Sequence, residues 1–320
     1  MKRRTSIAFL SSATAWPLAA RAQQPKLPRV GVLVPSNPEP FFSLFKQGLS
    51  GQGYIEGKNI QFEFRSADGK PELLPGLAQE LVRLNVDIIV VWTGLAALAA
   101  QQASKTIPIV MSSAADPVGM GLVASLARPG GNVTGLSSTS DQLAPKLLEF
   151  IRALLPDARR VAVLANAADP FGKTLIREVE RGGQALGIAI QAIEVRSVAD
   201  YDAAFAAMKK QRAQAVIVQG SLPRKAAAEL ARKQRLPAVS FNGVFSKEGG
   251  LLSYSPNQND MHQRAAHYID RILKGAKPAD LPVEQPTRFE LIINLQTAKA
   301  IGVAVPRELR IRADEVIELN

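Results

Sequence analysis

The chain has 320 residues, a formal net charge of +11 and no cysteine. Without thiols it has no disulfide, no cysteine nucleophile and no thiolate metal site, and its length exceeds one ordinary domain and fits two. The basic surplus lies in residues 151–252, where 16 basic side chains face 9 acidic ones; no aromatic residues are interleaved with it in the way nucleic-acid binding requires, so no nucleic-acid partner is expected.

Lys2, Arg3 and Arg4 open the chain, residues 7–20 are apolar or small, and Ala20-Arg21-Ala22 precedes Gln23-Gln24. A positive start, an apolar core and a small-x-small site form the pattern of a cleavable export signal, here residues 1–22. Arg3-Arg4 leaves both the general and the twin-arginine export routes open. The apolar part is shorter than the roughly 20 residues a span needs, and nothing later is long and apolar enough. No stable membrane insertion is expected.

Residues 29–34 read as a buried strand, 41–52 as a helix ending at Gly53, and 59–66 as an alternating strand. A helix over 72–84, a strand over 87–92, an alanine-rich helix over 95–104 and a strand over 107–111 follow. The second half repeats the plan, with helices over 146–155, 173–186, 200–211 and 224–235 and strands over 160–165, 189–195, 215–218 and 238–241. Short β-branched runs alternating with helices of ten or more residues predict parallel sheets covered on both faces. The phrase Arg29-Val30-Gly31-Val32-Leu33-Val34 returns as Arg160-Val161-Ala162-Val163-Leu164-Ala165, so each copy opens its own layer. Beyond 252 the chain reads as a strand over 249–255, a helix over 260–273, a connector with Pro278, Pro282 and Pro286, and a last strand and helix near 289–301. This tail is too short for a third domain. It is expected to cross back to the first layer and return, giving an α/β protein of two doubly wound lobes joined by a three-crossing hinge. The expected lobes are 28–139 with 253–278, and 140–252 with 279–320.

In open parallel sheets, ligands collect beyond the carboxyl ends of the strands. In the first lobe those exits carry Ser36, Asn37, Thr93, Gly94, Ser113, Ala114, Ala115 and Asp116; in the second they carry Asn166, Asp169, Gln219, Gly220, Ser221, Phe241 and Asn242. Small hydroxyl- and amide-bearing loops at helix starts offer free N–H groups to a carboxylate, although the same residues are ordinary turn formers. Phe41, Phe42, Trp92, Phe171, Phe241 and Tyr254 lie near this edge and could sandwich a flat ligand; for Trp92, at the end of a buried strand, a core place is the expectation. Among these, Phe241 and Tyr254 join the candidate ligand-binding set.

Patterns for catalysis are nearly missing. His262 and His267 fall about 140° apart on one helix and do not converge on a metal; both read as exposed or half-buried structural residues. Ser43-Leu44-Phe45-Lys46 has a serine–lysine spacing without its companion motifs, and Gly119-Met120-Gly121 opens no dinucleotide fingerprint. No catalytic residue, metal site or cofactor is expected.

Asp116-Pro117-Val118-Gly119 with Gly121-Leu122-Val123, then Arg128-Pro129-Gly130-Gly131-Asn132-Val133-Thr134-Gly135, and the endings around Ile292, Asn294, Thr297 and Ala313-Asp314-Glu315-Val316-Ile317 resemble the solute-binding proteins of ABC transporters, in the branch that includes tryptophan/tyrosine-type uptake proteins. The resemblance covers essentially all of the chain after the leader. It implies a type I periplasmic-binding fold, capture of a small-molecule solute by hinge closure, and delivery to an ABC transporter permease. By position the family's contacts would fall on Thr93, Gly94, Ser113 to Asp116, Ser137, Ser138, Asn166, Asp169, Ser221 and Asn242. An export signal without a lipid-bearing cysteine implies a freely diffusing periplasmic protein. The solute is not named by these residues; an amino acid or an aromatic acid fits. An extracytoplasmic sensor module and a two-domain enzyme stay open as other readings.

Overall fold

The computed structural model describes residues 27–36, 39 and 41–318. The expected leader and Asn37 lie outside the described residues, as does the side chain of Phe41. Two sheets organise the chain.

In the first sheet, β1 (Arg29–Val34) lies between β2 (Gln61–Ser66) and β3 (Ile88–Val91), followed by β4 (Ile109–Ala114) and β5 (Val133–Ser137), all parallel. The strands are apolar runs because both faces are covered. Helices α2 (Leu74–Arg83) and α3 (Gly94–Ala103) cover one face; α1 (Phe41–Gly51) and the late helix α8 (Gln258–Leu273) cover the other. Thus a helix more than 200 residues downstream of α1 packs beside it.

The second sheet runs in the order β7 (Ala189–Val195), β6 (Arg160–Asn166), β8 (Ala215–Val218), β9 (Ala238–Ser240), β10 (Leu252–Pro256), β11 (Phe289–Asn294), β12 (Glu315–Ile317). On its faces lie α4 (Ser140–Leu154) with α5 (Phe171–Leu186), and α6 (Tyr201–Lys210) with α7 (Arg224–Lys233). The two repeated phrases are β1 and β6. Each is flanked by the next strand on one side and the strand after that on the other, so each lobe reverses its winding direction at the equivalent place. That reversal opens a crevice at the carboxyl ends of the strands.

The hinge has the expected three crossings, and they are hydrogen-bonded to one another. The first passes from β5 into α4 through Ser138 and Thr139. The third pairs with it, Ser137 N–H donating to Glu284 O at 2.9 Å and Glu284 N–H to Gly135 O at 2.9 Å. The second passes from β10 into α8, where Asn257 N–H donates to Arg288 O at 3.0 Å. Because the chain leaves and re-enters the second lobe at one edge, β11 must run antiparallel to β10.

Four details depart from the sequence reading. Residues 253–256 belong by hydrogen bonding to the second sheet, through β9 and β11, whereas the expected boundary put them in the first lobe; the strand completes the second sheet before the chain crosses. Residues 279–284, assigned to the second lobe, run instead along β5 of the first. Helix α4 begins at Ser140, ahead of Pro145, whose ring lies against Gly182 of α5, a residue with no side chain to obstruct it. The strands β5 and β12 and the helix α10 (Arg307–Arg312) were not expected. No helix among the described residues is long and apolar enough to cross a membrane.

Candidate ligand-binding cleft

Between the lobes lies a cleft of about 910 Å³, within the size range of small-molecule sites. Its first-lobe wall is built at the exits of β1, β3 and β4. Thr93 caps α3, its Oγ1 accepting from Ala96 N–H at 3.2 Å, with its backbone extended as an N-cap requires. The start of α3 therefore points its free N–H groups and the positive end of its dipole at the cleft. Ser36, Thr93, Gly94, Ser113 and Ala115 line this wall, and Ser138 lines it at the first crossing. Ser138 Oγ is held by Ala114 O at 3.3 Å and Ser140 Oγ at 2.8 Å.

The second-lobe wall holds a connected polar group. Asp169, only 8% exposed, accepts from Ser221 Oγ at 2.7 Å, from Gln219 Nε2 at 2.8 Å and from Phe171 N–H at 3.0 Å. Gln219 Oε1 in turn accepts from Asn166 N–H at 2.8 Å, and Asn166 Oδ1 accepts from Ala168 N–H at 3.0 Å. Burial raises the Asp169 carboxyl above its ordinary value, although its three hydrogen bonds pull the other way. Among the described residues Asp169 enters no ion pair. A desolvated carboxylate without a cation faces the cleft.

Beside it, Arg224 clasps Glu248 with two bonds, Nε to Oε2 at 3.0 Å and Nη2 to Oε1 at 3.1 Å, and donates from Nη1 to Gly220 O at 3.0 Å. This clasp fixes the loop that carries Gly220 and Ser221. Aromatic surface completes both walls. Phe171 and Phe241 meet edge to face with centroids 6.0 Å apart. Opposite them, Trp92 meets the His262 ring at 5.4 Å.

Of the expected residues, Ser36, Thr93, Gly94, Ser113, Ala115, Ser138, Asn166, Asp169, Gly220, Ser221, Phe241 and Asn242 line the cleft. Ala114, Asp116, Ser137 and Tyr254 do not. Ala114 is buried in the first-lobe core. Asp116 Oδ1 accepts from Gly119 N–H at 2.8 Å and so caps its own turn. Ser137 Oγ accepts from Thr139 N–H at 3.2 Å within the crossing. Tyr254 packs between Phe150 and Phe289 in the second-lobe core, a consequence of β10 belonging to that sheet.

Other lining residues were not in the expected set: Arg224, Glu248, Gln258, His262, Met120 and Leu222. Gln219 was read only as part of a strand exit. His262, expected to be exposed or half-buried, is 1% exposed, with Nδ1 2.6 Å from Ser112 Oγ. Burial drops its pKa from 6.5 to about 3, so the ring is neutral. Trp92, 7% exposed, belongs both to the first-lobe core and to the cleft wall.

The sequence of residues 41–317 matches the family model described as ABC transporter substrate binding protein. The chain belongs to that family. It is 28% identical over 272 residues to a tyrosine-binding protein of Clostridioides difficile, an alignment spanning 81% of this chain and 75% of that one. Its fold superposes on a conserved domain protein from Vibrio cholerae with a TM-score of 0.84 at 27% identity, covering 91% of this chain and all of the other. It superposes on an ABC domain in complex with L-Trp from Streptococcus pneumoniae with a TM-score of 0.83 at 26% identity, with the same coverage. The architecture is that of the type I periplasmic-binding proteins.

Proposed function

We propose that this protein is the extracytoplasmic solute-binding component of an ABC uptake transporter, and that its solute is an amino acid with a large apolar or aromatic side chain. It binds that solute by closing its lobes, leaves it chemically unaltered and hands it to a permease from the periplasm, where the leader over residues 1–22 directs it. The observation that carries the reading is Asp169, a buried carboxylate at the edge of the cleft that enters no ion pair among the described residues. An α-ammonium group supplies a cation for it, with Ser221 and Asn166 beside it. The start of α3, with Thr93 and Ser113, suits the α-carboxylate. Phe171, Phe241, Leu222, Met120 and Trp92 offer apolar walls for the side chain, and the tyrosine-binding relative and the L-Trp complex among the similar structures support that assignment.

Closure follows from two-sided contact. A solute that touches both lobes binds the closed form better than the open one, and it shifts the population only by that difference. A thermal-shift screen against the amino acids and aromatic carboxylates tests the reading. A true solute at 100 times its Kd adds about 2.7 kcal/mol of stability. Stabilisation by acids without an amino group, equal to that by amino acids, would remove the role given to Asp169.

A further inference from the structure

Strands β6, β8 and β9 run in parallel and deliver Asn166, Gln219 and Phe241 to the cleft. Their starting ends therefore form the opposite pole of the second lobe, about 20 Å away by the rise of a seven-residue strand. Eight cations are gathered there: Arg159 and Arg160 at the start of β6, Lys209, Lys210 and Arg212 at the end of α6, and Arg232, Lys233 and Arg235 at the end of α7. All are exposed, and none takes part in an ion pair among the described residues. Across residues 157–160, 209–214 and 232–237 the one acidic side chain is Asp157.

The backbone at this pole is unusual. The residue that turns the chain out of α6 is Arg212, at φ 58°, and out of α7 it is Arg235, at φ 55°. That left-handed position normally takes glycine or asparagine, as it does after α5 (Gly187), α8 (Gly275), the helix α9 over Leu295–Ile301 (Gly302) and α2 (Asn85). The same four-residue phrase, two cations then Gln-Arg, ends both helices. Favourable interaction with the helix dipole accounts for cations in the last turn, but not for arginines in a strained turn beyond it or for Arg159 and Arg160 on a strand. The platform is also rigid: Gln214 Oε1 accepts from both Arg159 N–H (2.7 Å) and Arg160 N–H (3.1 Å), and Arg160 Nη1 donates to Gln211 O at 2.8 Å.

We propose that this pole docks the protein on the anionic headgroups of a phospholipid membrane. The observations favour a charged surface over a protein partner. Of the apolar residues in these segments, Ala158, Leu236 and Pro237 are buried and Ala213 is partly buried against the lobe's own core, so the face lacks the large apolar or aromatic centre of a protein interface. A lipid surface needs only density of one charge sign, and each Lys or Arg near it adds roughly equally. The pole belongs to one lobe alone, so contact with it is the same whether the cleft is open or closed. Such a contact keeps both empty and loaded forms near the membrane and leaves the cleft side free for a partner that distinguishes them.

The test is co-sedimentation of the protein, in the form recovered from cells expressing the full chain, with vesicles of phosphatidylglycerol and phosphatidylethanolamine, and with phosphatidylcholine vesicles. Association with the anionic vesicles alone, abolished in 0.5 M salt, is expected. Replacing Lys209, Lys210, Arg232 and Lys233 together by Gln should weaken it several-hundredfold, at about fivefold per cation. The double variant Arg212→Gly, Arg235→Gly relieves two strained turns; it should melt higher than the parent and yet bind the vesicles about 25-fold more weakly. Equal binding to phosphatidylcholine, no binding to anionic vesicles, or parent-like binding by both variants would overturn the proposal.

Discussion

Asp169 and Ser221 stand 52 residues apart in the chain and share a 2.7 Å hydrogen bond at the edge of the cleft. The parallel order β6-β8 makes the pair, because adjacent strands bring their following loops together. The bond holds a carboxylate that burial would rather keep neutral. Ser221, Gln219 and Phe171 N–H orient it in advance, so a ligand ammonium meets an ordered acceptor at little entropic cost.

Asp169→Asn removes the charge and keeps the shape. The parent carboxyl has a raised value in the fold, so its neutral form is the stabilised one. Its contribution is present at low pH and is lost as pH climbs through that raised value. At pH 7 the Asn variant should therefore melt at or above the empty parent. Its affinity for the amino-acid solute should fall by about 2–4 kcal/mol, since the ligand ammonium is left buried and unpaired. In acidic buffer the parent should release protons on binding and the variant should not; calorimetry in buffers of different ionisation enthalpy measures this.

His262 gives the opposite pH signature. Its pKa in the fold is about 3, below the ordinary 6.5. The stability it contributes is present above about 6.5 and drains away as pH falls toward 3, because the unfolded chain takes up the proton that the buried ring refuses. Urea unfolding should show the parent losing ~2 kcal/mol more than His262→Gln between pH 6.5 and pH 5. Equal losses in the two proteins would contradict a buried neutral ring.

Phe241 is a wall residue with a modest core role, 7% exposed and edge-on to Phe171. Phe241→Leu retains most of the volume and loses the ring. Affinity for an aromatic amino acid should drop by about 1 kcal/mol while that for leucine stays within experimental error. Competition titrations with the two ligands read the ratio directly.

Gly135 connects the first lobe to the hinge. Its φ is 122°, and a Cβ there would come 2.2 Å from Met111 O and 2.6 Å from Met111 N. Gly135→Ala must break the β4–β5 pairing or the bond from Glu284, and should cost about 3 kcal/mol or more. Gly131→Ala, which meets nothing within 4 Å, should leave the melting temperature unchanged. Thermal unfolding of the two variants distinguishes a required backbone state from a general intolerance of alanine.

Much of this architecture is legible in the sequence where the physics is local. Ile88–Val91 and Ala215–Val218 are β-branched runs too short for helices, and the helices between them carry their own caps and terminators, such as Thr93 and Gly187. Parallel order then puts the strand exits on one edge, which is why Thr93, Asn166, Asp169 and Ser221 could be named as cleft residues. The unread parts depend on distant chain. Val133–Ser137 has glycine and serine within five residues and becomes a strand because β4 and residue 284 flank it. His262 reaches the cleft because α8 returns to the first lobe and meets Ser112, 150 residues earlier. The Arg224–Glu248 clasp is likewise set by neighbouring loops, and Tyr254 turned inward once its strand joined the second sheet.

Isothermal titration of the purified protein with L-tyrosine and L-tryptophan, followed by recovery of the ligand from denatured protein, tests the central claim most directly. One equivalent should bind with a negative heat-capacity change, as burial between two apolar walls requires, and should be recovered chemically unchanged. Failure of every amino acid to bind at millimolar concentration, or recovery of an altered compound, would contradict a cleft that captures an amino acid and releases it intact.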